Sequence, residues 1–185
     1  MTTLSSAGSL SRSRGVTMVG VVGFAAAVAA ASQIAIPLPW TPVPITLQPM
    51  LVILAGMLLG PVAGAMSMLL YLAAGAAGLP VFTPIGAPGI ARFFGPTGGY
   101  LIAYPVAAFV AGAIASRANG FAVRWLAGVA GIAVIYVGGI AQLSLLSGGF
   151  RHALQLGVAP FAALDILKAV VAAVIASPRA TRRSA

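Results

Sequence analysis

Cysteine is absent from the 185-residue chain, which removes disulfides, thiolate metal sites and cysteine nucleophiles at once. Acidic residues are all but missing too. Asp165 is the only one, so no second carboxylate exists for paired acid–base chemistry. The single histidine, His152, cannot build a His-rich metal site alone. Neither a G-x-x-x-x-G-K-[ST] phosphate loop nor a G-x-S-x-G nucleophile turn occurs. These gaps argue against an enzyme, and no cofactor motif is present. Charge of either sign is scarce, at 6% of residues against roughly 25% in a soluble domain. With 61% hydrophobic residues and a mean hydropathy of +1.09, the chain cannot cover a water-facing surface. Its solvent is lipid. The formal charge of +9 invites a nucleic-acid reading, but the arginines form no stripe interleaved with aromatics. They fall between apolar runs, as in a membrane protein, so no nucleic-acid partner is expected.

What is present is a succession of apolar runs. A helix needs about 20 residues to cross roughly 30 Å of hydrocarbon. Runs at about Val16–Ile36, Pro49–Leu59, Val62–Ala77, Tyr100–Ala115, Val123–Leu146 and Gly157–Ile175 predict about six helices, the second of them short. The expected fold is therefore an all-α integral membrane protein, six transmembrane helices in one bundle. Residues 1–15 form a polar leader, 16–176 the bundle and 177–185 a basic tail. A leader with Arg12 and Arg14, an apolar run and small residues at Ala29–Ala31 also describe a secretory signal, whose removal would leave five spans. With six spans, Arg12, Arg14, Arg117, Arg124, Arg179, Arg182 and Arg183 share one side, against Arg92 and Arg151 on the other. That asymmetry places both termini in the cytoplasm. The connection before Tyr100 and the loop around Arg151 then lie outside, and the tail offers attraction to anionic membrane lipid.

Three features stand out. The last run, "FAALDILKAVV", holds the only acidic residue and, three places later, the only lysine, Lys168. Were Gly157 at the outer boundary, Asp165 would lie roughly 12 Å deep. A charge near mid-span costs about 2.5–3.5 kcal/mol on insertion scales, so intramembrane charge reads as functional. At i, i+3 the two can pair, and a pair that merely neutralises itself is the blander alternative. The second feature is "RFFGPTGGYL", Arg92–Leu101, where Pro96 and the glycines interrupt any helix and let backbone approach a ligand closely. An ordinary helix-capping turn is the alternative. Third, Gly23, Ala27 and Ala31 repeat every four residues in the first run, a spacing that lets helices approach closely in lipid. Ala25/Ala29 and Ala26/Ala30 fit the same spacing, leaving the register open.

The stretches "PVPITLQPMLVILAGMLLGPVAGAMSMLLYLAAGAAGLPVF", "GPTGGYLIAYPVAAFVAG" and "PFAALDILKAVVAA" resemble the BioY family. These are the biotin-binding membrane subunits, or S components, of energy-coupling factor vitamin transporters. The likeness runs from about Ile34 to Ala173, with "GPTGGYL" and "P-x-P-I-T-L-Q" its most specific parts. It implies a six-helix bundle in a bacterial cell membrane that binds biotin from outside. It also implies docking through small residues of the first helix onto a transmembrane coupling subunit with two cytoplasmic ATPases. Asp165 and Lys168 match the family's pocket residues, and Gly95–Tyr100, with Gly98 and Gly99, match its outer wall. Arg92 is a charged neighbour, and Gln48 of the "P-x-P-I-T-L-Q" motif joins the expected ligand contacts. Residues 82–91 depart from the family pattern. Two other classes remain: a membrane scaffold that binds no small molecule, which would tolerate leucines at Asp165 and Lys168, and a secondary transporter using Asp165 as a proton site. Against the latter, no inverted halves are evident.

Overall fold

The computed structural model describes residues 4–177, so Arg179, Arg182, Arg183 and most of the expected basic tail lie outside the described residues. Helix α1 spans Leu4–Gln33, so the stretch read as a leader continues the first helix rather than preceding it. The chain then forms an antiparallel hairpin, β1 (Ile36–Leu38) with β2 (Thr41–Ile45). Its prolines alternate with other residues and supply no N–H, which rules out helix but suits an edge strand, where half the backbone needs no partner. Alternation gives β2 a buried side, Thr41 and Val43, and an exposed Pro42 between them.

Helices α2 (Gln48–Leu59) and α3 (Pro61–Ala76) are separated by Gly60 alone. Gly60 has φ +83°, open to glycine without strain, and Pro61 then starts the next helix, where its missing N–H costs nothing. A 3₁₀ turn at Gly89–Phe94 leads into α4 (Gly98–Ala115), followed by α5 (Phe121–Leu146). α4 is the centre of the bundle, packed on α2, α3 and α5. It turns Ala103, Ala107, Ala108, Ala111 and Ala115 inward, small residues that let neighbouring backbones close in. α1 packs on α2 and α3 with Val28 fully buried, so the first apolar run belongs to the bundle.

The expected sixth span is two helices. α6 (Phe150–Gly157) and α7 (Ala162–Ala176) meet at a 55° bend. Pro160 lies in the break, where its ring and missing N–H prevent a continuous helix. Asp165 consequently sits in the first turn of α7, roughly 5 Å along that helix. There its negative charge lies at the positive end of the helix dipole.

By length and composition, Gly15–Gln33 of α1, α4 and α5 can cross a membrane, and the bent pair α6/α7 makes a fourth candidate when the two are counted as one span. α2 and α3 are apolar but shorter. The exterior is as apolar as the interior. Val19, Ile102, Val106, Val137 and Leu145 are all more than half exposed, which is stable in lipid and not in water. The protein is a multi-pass membrane protein.

Candidate functional site

One end of the bundle holds a partly open cavity, about 640 Å³ of non-atom space when the part continuous with the exterior is included. Three connections build it: the hairpin between α1 and α2, the loop between α3 and α4, and the segment joining α5 to α7. The α4–α5 connection, with Arg117, and the first turn of α5, with Arg124, contribute nothing to it.

Asp165 and Lys168 are the polar centre. Lys168 Nζ lies 2.7 Å from Asp165 Oδ1, and the Tyr136 hydroxyl donates to Oδ2 at 2.6 Å. Both side chains of the ion pair are largely buried, Lys168 11% and Asp165 6% exposed, so water screens the pair weakly. α5 and α7 thus hold both carboxylate oxygens in place, each with lone-pair capacity left for a ligand N–H. On the α2–α3 side the Gln48 amide donates to the Tyr71 hydroxyl at 2.8 Å and accepts from Thr46 at 3.2 Å. The Tyr71 ring meets Phe82 edge-on at 5.4 Å and lies over Tyr104 at 6.5 Å. Tyr100 donates to the Gly157 carbonyl at 3.0 Å, tying α4 to the end of α6.

Arg92 enters the cavity from the 3₁₀ turn and is 95% buried. Its two terminal nitrogens donate to the carbonyls of Thr83 and Ile85, bracing the loop between α3 and α4. Its Nε is buried without a partner. Burial pulls the guanidinium below its ordinary pKa, opposed by Tyr71, but an arginine starts so high that it stays charged. Arg92, Lys168 and Asp165 leave the cavity with one net positive charge, complementary to a monoanion. Among the described residues no cluster could hold a metal ion.

Five of the sequence-predicted residues therefore meet in one cavity: Asp165, Lys168, Tyr100, Arg92 and Gln48. Gly98 and Gly99 do not reach it. A Cβ on Gly99 would lie 2.1 Å from the Gly138 carbonyl oxygen, and one on Gly98 equally close to that of Phe93. They are small so that α4 can lie against α5 and the 3₁₀ turn. Gln142 locks the same place, donating to the carbonyls of Phe93 and Gly95 at 2.7 and 2.8 Å. The Gly23/Ala27/Ala31 stripe also needs correction as a docking register. Gly23 faces outward, Ala27 is half-buried and Ala31 is buried. A four-residue step advances 400° around a 3.6-residue helix, so the stripe turns inward by about 40° per step. The outward small residues are Gly23, Ala26 and Ala30.

Sequence reasoning missed three of the four tyrosines: Tyr71, Tyr104 and Tyr136 line this cavity beside the expected Tyr100. The signal was available: Tyr71, Tyr104 and Tyr136 sit inside apolar runs, away from the interface that tyrosine favours, where each hydroxyl needs a partner.

Known proteins resemble this chain along most of its length. Residues 4–185 match the family described as "BioY family". The chain is 43% identical over 135 residues to a "Probable biotin transporter BioY" of Pyrococcus horikoshii, covering 73% of this chain and 79% of that protein. It is 40% identical over 153 residues to the "Biotin transporter BioY" of Thermotoga maritima, covering 83% and 89%. Its fold superposes with a TM-score of 0.82 and 29% identity on the crystal structure of the S-component for biotin from an ECF-type ABC transporter, covering 89% of this chain and 90% of that one. A match along almost the whole length, with one cavity at its polar centre, leads to one conclusion: this chain belongs to the BioY family.

Proposed function

We propose that this chain is the biotin-binding S component of an energy-coupling factor transporter and not an enzyme. The observation that carries it is the cavity: a fixed Asp165–Lys168–Tyr136 cluster and Arg92 around an aromatic wall, with one net positive charge. Biotin is complementary to each part. Its ureido N–H groups suit Asp165, its thioether ring and valeryl chain suit the tyrosine and phenylalanine faces, and its carboxylate answers the net charge. Gln48 and Tyr100 shape the wall around it.

Six spans complete the arrangement, with α2 and α3 as short spans, α6/α7 as a bent one and both termini in the cytoplasm of a bacterial cell. Arg117 and Arg124 then lie inside, by the positive-inside tendency, and the cavity opens outward. α1 presents Gly23, Ala26 and Ala30, with Ala27 at the edge, to a transmembrane coupling subunit driven by two ATPases. Close approach at small residues is what such a contact between helices in lipid requires.

The test is equilibrium binding of biotin to the purified, detergent-solubilised chain without nucleotide or partner. Saturable binding in the nanomolar range, about −12 kcal/mol, is expected. A folded sample that binds no biotin refutes the proposal. Unaltered uptake by a chain with leucines at Asp165 and Lys168 would favour a scaffold.

A further inference from the structure

Most hydroxyls and amides in the cavity wall already have a protein partner. Tyr136 serves Asp165, Tyr100 serves Gly157, and Tyr71 accepts from Gln48. Tyr104 differs. It is 96% buried, yet its hydroxyl makes no hydrogen bond among the described residues. Nor is that oxygen among the fully enclosed polar atoms that lack a partner, so it keeps contact with the open space it lines. The Tyr104 ring is buried and packed, so the hydroxyl cannot swing to another protein partner. Tyr104 sits one helical turn beyond Tyr100, whose hydroxyl is anchored. Its other face lies over Tyr71 at 6.5 Å and 26°, and Tyr71 is itself pinned by Gln48. Asp165 lines the same cavity from α7.

An unpaired hydroxyl held rigidly in the same cavity as the carboxylate that takes ureido N–H groups is placed for the rest of the same head group. Asp165 can only accept, and Lys168 directs one of its three N–H bonds to Asp165. The ureido carbonyl needs a donor, and Tyr104 is a buried neutral one whose hydroxyl neither donates nor accepts among the described residues, whereas the Thr97 hydroxyl is only half-buried and Tyr71 is held by Gln48. We propose that the Tyr104 hydroxyl donates a hydrogen bond to the ureido oxygen of bound biotin and so determines specificity for that oxygen. The inference rests on the biotin reading above and adds a contact to it. A site that hydrogen-bonds one ligand group rejects analogues lacking it more strongly than an apolar wall can.

The experiment measures binding to the detergent-solubilised full chain, wild type and Tyr104→Phe, with biotin and with the analogue carrying sulfur in place of the ureido oxygen. Thiocarbonyl sulfur is a poor acceptor, so it reports whether the lost hydroxyl served that atom. Wild type should prefer biotin. Tyr104→Phe should weaken biotin binding about tenfold, 1.4 kcal/mol, and leave the sulfur analogue's affinity nearly unchanged. Tyr71→Phe removes a hydroxyl with an internal partner and serves as the comparison: any loss there should fall on both ligands alike. Tyr104→Phe removes one atom from a packed ring, and gel filtration and a thermal melt check that it folds. Unchanged biotin affinity, or an equal loss for both ligands, overturns the assignment of Tyr104 and leaves the biotin reading standing. Failure of the wild type to bind biotin overturns both.

Discussion

Asp165→Asn removes one charge and almost no volume, so its effects follow from the bonds on the page. The carboxylate accepts from Lys168 at 2.7 Å on one oxygen and from Tyr136 at 2.6 Å on the other. An asparagine keeps one acceptor oxygen and replaces the other with an NH₂, which cannot accept. One of the two donors must lose its partner, and the Lys168 ammonium, 11% exposed, loses its counterion in either case. Breaking a buried pair on one side costs about 3–5 kcal/mol because the remaining charge is uncompensated. The partly open cavity lets water or ligand offset some of it, so the melting temperature in detergent should fall without loss of the fold. Affinity should suffer separately. The ureido N–H groups lose an anionic acceptor and meet a donor instead, a change worth at least tenfold, about 1.4 kcal/mol. Tyr136→Phe is the informative partner: it frees one oxygen while leaving the charge, so it should weaken binding by less than Asp165→Asn does. The assay is biotin titration by calorimetry on samples matched for folded fraction. If Asp165→Asn bound biotin as tightly as wild type, Asp165 would be a structural residue and the polar centre of the site would be misassigned.

Gly99→Ala should lower thermal stability markedly, because its Cβ would lie 2.1 Å from the Gly138 carbonyl oxygen and 2.8 Å from Gln142 Cβ, forcing α4 from α5. Overpacking of this kind costs about 1–3 kcal/mol, and a melt no different from that of Ile102→Ala, a half-exposed position, would contradict the close contact. Ala26→Trp, on the outward face of α1, should leave biotin binding intact but abolish copurification with the coupling subunit and energised uptake. Retained partner and retained uptake would remove this face as the docking surface.

The apolar runs made the main helices legible, because a long apolar run in a chain with so little charge has few other uses. The breaks within them were less legible. Gly60–Pro61 announced itself, since glycine then proline is a strong stop in any context. Pro160 stands in an equally apolar stretch, and the expected run passes through it, so the last helix starts later than the run does and Asp165 falls in its first turn. The hairpin was missed for the opposite reason. Its prolines exclude helix, but nothing local says that the strands fold back over a cavity; the Thr41 hydroxyl donating to Leu156, 115 residues away, helps hold them there.

The site divides along the same line. Rarity pointed to Asp165 and Lys168, since a charge in a lipid-solvated helix has to be matched. Proximity in sequence could not reveal Tyr136, which reaches Asp165 from another helix, 29 positions earlier. Nor could motif resemblance separate a glycine that touches ligand from one that admits a neighbouring helix. Gly98 and Gly99 share their motif with Tyr100, yet a β-carbon on Gly98 or Gly99 would strike backbone, whereas the Tyr100 ring faces the cavity. A motif of mixed roles is what packing produces here. The turn that brings a side chain to the ligand must also let α4 settle against α5, and adjacent residues divide those two tasks.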